Sequence, residues 1–311
     1  MRSRSVGAVL TAAVISAAGF AQEPQAPAKP LPELDKDVLL NWSDLEKSRW
    51  ADAKPYLNDP LPELQASVPE VKGLEPGLGQ EELSSILAKA GEKCAHLLER
   101  MPNVISNEAV TTRVPHARPW QEKFGYLLLS RQTPGGIVLE EYRTDEHGGT
   151  LPEKPLSGPF SQGFAAMWVR LFPANQLESR FRYVGKQEME GHKTYVVAFA
   201  QVPGLVKFPA QFLLQRTQVT ILYQGIAWID SSDFRIVRMR EDLLAPRPDV
   251  YLQKFTAQVR FDEVHIAKAA SSLWLPREAI VEWEFKGQST RQDHTYSHYR
   301  LYAVKTTILP Q

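Results

Sequence analysis

From Pro102 onward the chain is a succession of alternating apolar and polar runs separated by short turn signals, and this pattern restricts the fold more than any other feature. The runs span 103–114, 122–132, 137–145, 180–188, 194–201, 218–229, 234–244, 252–266, 274–287 and 292–305. Pro134-Gly135-Gly136, Glu190-Gly191-His192, Asp230-Ser231-Ser232-Asp233 and Lys286-Gly287-Gln288 punctuate them, as turn residues do between strands. Links this short make consecutive strands antiparallel, because a parallel crossover needs about a dozen residues or more. In YQGIAWIDSSDFRIVRM the Asp230 to Asp233 knot reads as a hairpin tip, where Asp and Ser side chains accept hydrogen bonds from nearby backbone N–H groups.

The alternation also separates faces. In LQKFTAQVRFDEV, Phe255, Ala257, Val259 and Phe261 share one side, while Thr256, Gln258, Arg260 and Asp262 share the other; in AIVEWEF, Val281, Trp283 and Phe285 oppose Glu282 and Glu284. One face of the sheet is expected to be apolar and the other wet. The apolar face holds more bulky aromatics than one helix stripe can cover. Phe255, Val259, Phe261, Val281, Trp283 and Phe285 are therefore candidate walls of a ligand cavity, with tight packing as the competing reading.

Two segments have helical period. Over 80–101, Leu83, Ile86, Leu87, Ala90, Cys94, Leu97, Leu98 and Met101 form one stripe that stops at Pro102. Cys94, the only cysteine, lies on that stripe as a small buried hydrophobe. In SGPFSQGFAAMWVRLFP, 157–173, Phe160, Phe164, Met167, Trp168, Leu171 and Phe172 also recur at helical spacing. A helix this apolar is either part of the core or a lid over a groove, and in the second case Phe160, Phe164, Met167, Trp168 and Phe172 touch the ligand.

The beginning of the chain is different. Arg2 and Arg4 precede an apolar run that ends in small residues near Ala21, the pattern of a secretory signal peptide cut after Ala21. No later segment is apolar enough to span a bilayer. Residues 22–79 are rich in proline and read as an arm with one short helix carrying Leu34, Val38, Trp42 and Leu45, which docks on the domain or on an envelope partner. The expected organisation is 1–21 signal peptide, 22–79 arm, 80–311 domain, with a periplasmic or secreted location.

Composition removes several function classes. The 36 basic and 36 acidic residues cancel, so the basic excess that drives nucleic-acid binding is missing and no nucleic-acid partner is expected. No nucleophile elbow, P-loop, dinucleotide fingerprint or Cys-x-x-Cys occurs, so no catalytic residue and no cofactor is assigned. His294 and His298 share a face if their strand is regular, but then lie about 13 Å apart. That is too far for one metal ion without help from a residue such as His265, and no metal site is assigned.

Four stretches resemble a known family: LLERMPNVISNEAVTTR, FRYVGKQEMEGHKTYVVAFAQVP, GIAWIDSSDFRIVRM and HTYSHYRLYAV. In order and texture, over roughly residues 80 to 305, they are similar to the periplasmic lipoprotein-carrier superfamily, the LolA/LolB-like proteins, and to its secreted relatives. The resemblance implies an α+β fold in which a strongly curved antiparallel sheet, an incomplete barrel, is covered by helices around an apolar cavity that in some members holds acyl chains. The expectation is an exported, non-catalytic carrier or receptor for a lipid, a lipoprotein acyl chain or another hydrophobic ligand. The alternatives are an envelope interaction or sensor protein that uses the fold as a scaffold and its 22–79 arm for a partner, and a metal-dependent hydrolase.

Overall fold

The computed structural model describes residues 8–11, 48–51, 53–133, 136–149, 160–161, 164–207, 209–214 and 217–302. Among them the strands are β1 (Ala8–Thr11), β2 (Glu75–Pro76), β3 (Val104–Arg113), β4 (Trp120–Thr133), β5 (Gly136–Thr144), β6 (Phe160–Ser161), β7 (Ser179–Met189), β8 (His192–Gln201), β9 (Ala210–Leu214), β10 (Thr217–Ile221), β11 (Tyr223–Asp230), β12 (Ile236–Leu243), β13 (Leu252–Val264), β14 (Leu273–Phe285) and β15 (Gln288–Leu301). Helices are few: α1 (Leu61–Ser67), α2 (Leu83–Arg100), a 3-10 turn over Met167–Leu171, and α3 (Pro173–Gln176).

Eleven strands form one antiparallel sheet in the order β2-β7-β8-β11-β12-β13-β14-β15-β3-β4-β5. β2 and β5 remain edges, so the sheet is open. Both edges are poor templates for another strand: β2 has two residues, and β5 carries Glu140, Glu141 and Arg143. A small second sheet runs β10-β9-β1-β6. Its strand β1 lies in the segment that reads as a signal peptide, and cleavage after Ala21 would leave that side of β9 unpaired.

One short segment shows how strongly the large sheet curls. The backbone N–H of Ala165 donates to Glu141 Oε1 on β5 at 3.0 Å, Phe164 meets the ring of His294 on β15 at 5.0 Å, and Arg170 Nε donates to Glu241 Oε1 on β12 at 2.8 Å. β12 and β5 are six strand spacings apart, about 29 Å on a flat sheet. Five residues of compact chain reach about 10 Å. The sheet must therefore wrap around this segment, which gives the α+β arrangement of an incomplete barrel covered by helices.

α2 closes the concave side. Ile86, Ala90 and Cys94 are buried, and Leu83, Leu87, Leu97 and Leu98 pack half-buried on the same core, as the apolar stripe requires. A Cβ at Gly91 would stand 3.2 Å from the Leu171 carbonyl oxygen, so this position sets how closely α2 approaches the 3-10 turn. Gln176 Nε2 then donates to the carbonyls of Leu87 and Leu171 at 2.9 and 2.7 Å and clips the two together.

The sequence reading needs correction in three places. The run 218–229 is two strands, β10 and β11, that break at Leu222 and belong to different sheets. The segment 157–173 is no continuous helix: its described part holds the strand Phe160–Ser161 and the five-residue turn Met167–Leu171, which ends where Pro173 starts α3. The second face of the sheet is wet only in part. Every residue of β11 is buried, because Trp50, Tyr56, Leu57, Leu64, Val68, Val71 and Leu74 form a second core on the outer side with Val196, Ala198, Leu222, Ile226 and Trp228. The helix expected near Trp42 lies outside the described residues.

Polar contacts fix that outer layer. Tyr56 N donates to Gln224 Oε1 at 2.9 Å, Arg182 Nη1 donates to the Leu57 carbonyl at 2.9 Å, and Arg240 joins Glu70 to Asp242 at 2.9 and 2.7 Å. Residues 50–74 therefore contribute to stability. Leu64→Ala, at a fully buried position, is expected to destabilise the protein by about 2–5 kcal/mol in urea unfolding; a change within about 0.5 kcal/mol, the level of ordinary surface substitutions, would show that this layer is not part of the cooperative fold.

Candidate functional site

The concave interior is built from alternate residues of the strands. On β3 the inward set is Val104, Ser106, Glu108, Val110 and Thr112, all buried, while Asn107 and Arg113 are exposed. The cover over this interior, residues 164–171, is held by few polar ties. Besides Ala165 to Glu141 and Arg170 to Glu241, Cys94 Sγ donates to the Trp168 carbonyl at 3.4 Å and Asn175 Nδ2 to the Val169 carbonyl at 2.9 Å.

Beside the cover a cleft of about 210 Å³ opens between α2 and the β11–β12 and β13–β14 connections. Lys93, Cys94, His96, Leu97 and Arg100 of α2 form one wall. Phe234, Arg235, Ile236 and Ser271 through Trp274 form the other, and Trp168 lies at the floor. The Asp230 knot builds part of this wall. Asp230 Oδ1 accepts from Ser232 N at 2.7 Å, Ser232 Oγ at 2.5 Å and Asp233 N at 3.2 Å, the side-chain-capped hairpin tip expected from the sequence. The turn puts Phe234 at φ +64° and directs its ring and Arg235 toward α2: Lys89 Nζ sits 4.7 Å above the Phe234 ring, and the Arg235 guanidinium lies 4.4 Å from the Trp274 ring. Trp274 is anchored by its indole N–H, which donates to the Ile236 carbonyl at 2.6 Å. The indole N–H of Trp168 is buried with no partner among the described residues.

A second polar group lies deeper. Glu108, fully enclosed, takes a bidentate pair from Arg143 of β5, with Nη2 to Oε1 at 2.7 Å. Its Oε1 also accepts from His294 Nδ1 at 2.8 Å and Tyr296 Oη at 3.1 Å, both on β15. Burial works against the Glu108 carboxylate, but the Arg143 charge, its hydrogen bonds and those of His294 outweigh it and hold the carboxyl at about 2 instead of 4.5. An ionised carboxylate only accepts, so His294 carries its proton on Nδ1 and leaves Nε2 bare. Nε2 is buried without a partner, next to the ring of Phe164. Burial lowers the His294 pKa below its ordinary 6.5, and Glu108 restores it only in part.

The candidate residues from the sequence fall into separate places. Phe255, Val259, Phe261, Val281 and Trp283 are buried in the main core, with Phe285 packed half-buried against it. Phe164, Met167 and Trp168 are buried in the same core, and Phe172 is half-buried. The side chain of Phe160 lies outside the described residues. Only Trp168 of these lines the α2 cleft, whereas Trp283 lines a separate, open hollow of about 410 Å³ with Arg113, Lys254 and Arg291. His294 and His298 do not share a face. Pairing of β15 with β3 shifts between Ser297 and Arg300, His298 adopts φ +54° and is exposed, and His294 stays inside. Among the described residues no three His, Cys, Asp or Glu side chains are grouped to hold a metal ion. Burial pushes the Cys94 thiol to about 12, so it is protonated at neutral pH. No helix among the described residues is long and apolar enough to cross a membrane.

The sequence reading missed the groups that shape these sites. Glu108 was accessible to it, since VISNEAVTTR puts a carboxylate among the inward positions of an alternating strand. Phe234 and Trp274 were not, because only the pairing of distant strands brings both against α2.

No family model matches the chain, and no curated protein matches it in sequence. Solved structures do. An outer membrane lipoprotein-sorting protein domain from Vibrio parahaemolyticus is similar at 13% identity and a TM-score of 0.40, covering 69% of this chain and 91% of its own. A DUF1329 family protein from Desulfovibrio piger is similar at 11% identity and a TM-score of 0.40, covering 72% and 94%. A LolA superfamily protein from Nitrosomonas europaea is similar at 16% identity and a TM-score of 0.34, covering 71% and 94%.

The buried cluster predicts a pH response. The unfolded chain takes up a proton on His294 near pH 6.5 and on Glu108 near 4.5, and the folded chain resists both. Their contribution is complete above pH 6.5. It falls with acid, first for His294 as the pH drops below 6.5, then for Glu108 between 4.5 and about 2. His294→Asn should lose less stability than the parent between pH 7 and pH 5 in urea unfolding, and Glu108→Gln should cost about 3–5 kcal/mol at pH 7 by taking the bidentate carboxylate from Arg143. Parallel pH curves for the parent and His294→Asn would contradict this assignment.

Proposed function

We propose that the protein is an exported, non-catalytic binding protein, a carrier or receptor for a lipid, an acyl chain or another hydrophobic ligand that enters through the α2 cleft and lies between the concave face and the 164–171 cover. The observation that supports this most is the cleft itself: an apolar opening of about 210 Å³ whose floor, Trp168, belongs to the cover. Pockets that enclose a drug-sized ligand measure about 300–1,000 Å³. The closed form therefore admits part of such a ligand, and displacement of the cover would admit the rest.

In that open form the inner aromatics Phe255, Phe261, Trp283 and Phe285, with Val259 and Val281, are the wall, and Phe160, Phe164, Met167, Trp168 and Phe172 are the lid. A bound chain would replace the apolar contacts of the cover with similar ones, whereas its polar ties, the Arg170–Glu241 pair above all, must be kept or re-made in the open form. Neither a thiolate nor a metal cluster is available on the described residues, and the reading needs neither cofactor nor metal. An envelope partner remains open to the arm. Because residues 50–74 are committed to the outer core, that role would fall to the rest of the 22–79 segment.

The full chain should bind the uncharged probe N-phenyl-1-naphthylamine. Alkanols should displace it with affinity rising roughly fourfold per added CH₂, the value of about 0.8 kcal/mol for each buried methylene. Leu97→Gln, at the mouth of the cleft, should weaken the probe severalfold in the folded variant, with a lowered melting temperature because Leu97 also packs on the core. Absence of probe binding by the parent, or displacement that ignores chain length, would overturn the reading.

A further inference from the structure

The rim of the α2 cleft carries charge of one sign, and we infer that its ligand is an amphiphile with an anionic headgroup, carboxylate or phosphate, seated at Lys93, His96, Arg100 and Arg235 with its chain running past Phe234 and Trp274 toward Trp168. This rests on the binding role proposed above and adds the headgroup.

The charge pattern starts in the sequence. Lys89, Lys93, His96 and Arg100 lie four, three and four residues apart, which places them in one row along α2. Glu92 and Glu99 border that row, three or four residues from Lys89 and His96, on the side away from the apolar stripe, and neither lines the cleft. The row borders the apolar stripe where the stripe meets the cleft, and Lys93, His96 and Arg100 all line it. These three are exposed, so the row is open to an incoming ligand.

The opposite wall has carboxylates, but they are occupied. Asp233 is paired with Arg235 and accepts its backbone N–H at 2.9 Å. Glu263 accepts from Ser272 Oγ, which keeps its carboxyl below the usual range. Among the described residues neither Lys93, His96 nor Arg100 forms an ion pair. Three α2 side chains able to carry positive charge therefore line an opening that, among the described residues, has no carboxylate in its lining. The rings on the far wall are already used as cation platforms, Phe234 by Lys89 and Trp274 by Arg235, which places these two cations beside the row on α2. Ser271 adds a hydroxyl at the same rim. An uncharged lipid would leave this set without a partner. A cationic one would be repelled.

The test compares ligands of one chain length: dodecanol, dodecanoate, dodecyl phosphate and dodecyltrimethylammonium, each competing against N-phenyl-1-naphthylamine on the full chain below its micelle-forming concentration. The expected result is that both anions bind at least roughly tenfold more tightly than dodecanol, a difference of about 1.4 kcal/mol, and that the ammonium binds more weakly than dodecanol. In K93E/R100E, at two exposed positions, the ratio of anion to dodecanol affinity should fall to about one or below. Tighter binding of dodecanoate points to a free fatty acid, tighter binding of dodecyl phosphate to a phospholipid-type head, and either supports the inference. Equal binding of anions and dodecanol by the parent, or an anion preference that persists in K93E/R100E, overturns it and leaves the hydrophobic-ligand reading intact. Failure of all four, with the neutral probe also unbound, overturns both.

Discussion

An open sheet of eleven strands cannot leave its faces in water, and most of this molecule answers that constraint. The concave face is covered by α2 and by the 164–171 segment, around which the sheet curls until β5 and β12 touch the same few residues. The outer face of β8 and β11 is covered by residues 50–74. β11 lies between the two covers and has a buried residue at every position. Gly225 within it fits only because it lacks a Cβ, which would stand 2.4 Å from the Phe199 ring and 2.1 Å from the Arg240 carbonyl oxygen. The remaining outer surface, along β13 to β15 and β3, keeps the alternation of a sheet with one wet side.

The two covers differ in their attachment, and that difference carries the functional account. The outer layer is tied by charged and amide groups, with Arg240 held between Glu70 and Asp242. The inner cover has a long apolar contact, with the Arg170–Glu241 pair and single hydrogen bonds at its ends. Apolar contact is non-directional and can be exchanged for a ligand of similar character, whereas a set of directed hydrogen bonds cannot. The Glu108, Arg143, His294 and Tyr296 group supplies rigidity where the cover meets the sheet, joining β3, β5 and β15. It leaves His294 Nε2 bare beside Phe164; with the Trp168 indole N–H, that nitrogen is among the buried polar atoms that have no partner among the described residues.

Much of the large sheet was legible in the sequence, because side-chain period is what the alternation encodes. β3, β4, β5, β7, β8, β13 and β14 begin and end within about two residues of the runs that announced them. The Asp230 turn was legible from its residue types, and α2 from its stripe. What failed lacked a local signal. Residues 50–74 make short helical turns between prolines, each too brief to show a period, yet together they bury Trp50 and Leu64. The break at Leu222 switches sheets without a turn residue. The 157–173 segment had helical spacing, but Pro173 and a tight fit under α2 left only a single 3-10 turn in its described part. The α2 cleft was invisible for another reason: Phe234 and Trp274 are forty residues apart, and α2 lies well over a hundred positions before either.

The central claim is that the curled sheet and its inner cover hold a hydrophobic ligand. Native mass spectrometry of the protein, purified without detergent and followed by solvent extraction, tests it most directly. The account predicts a discrete added mass that extracts as a single lipid class. Only the bare protein mass, unchanged after incubation with excess dodecanoate, would contradict it.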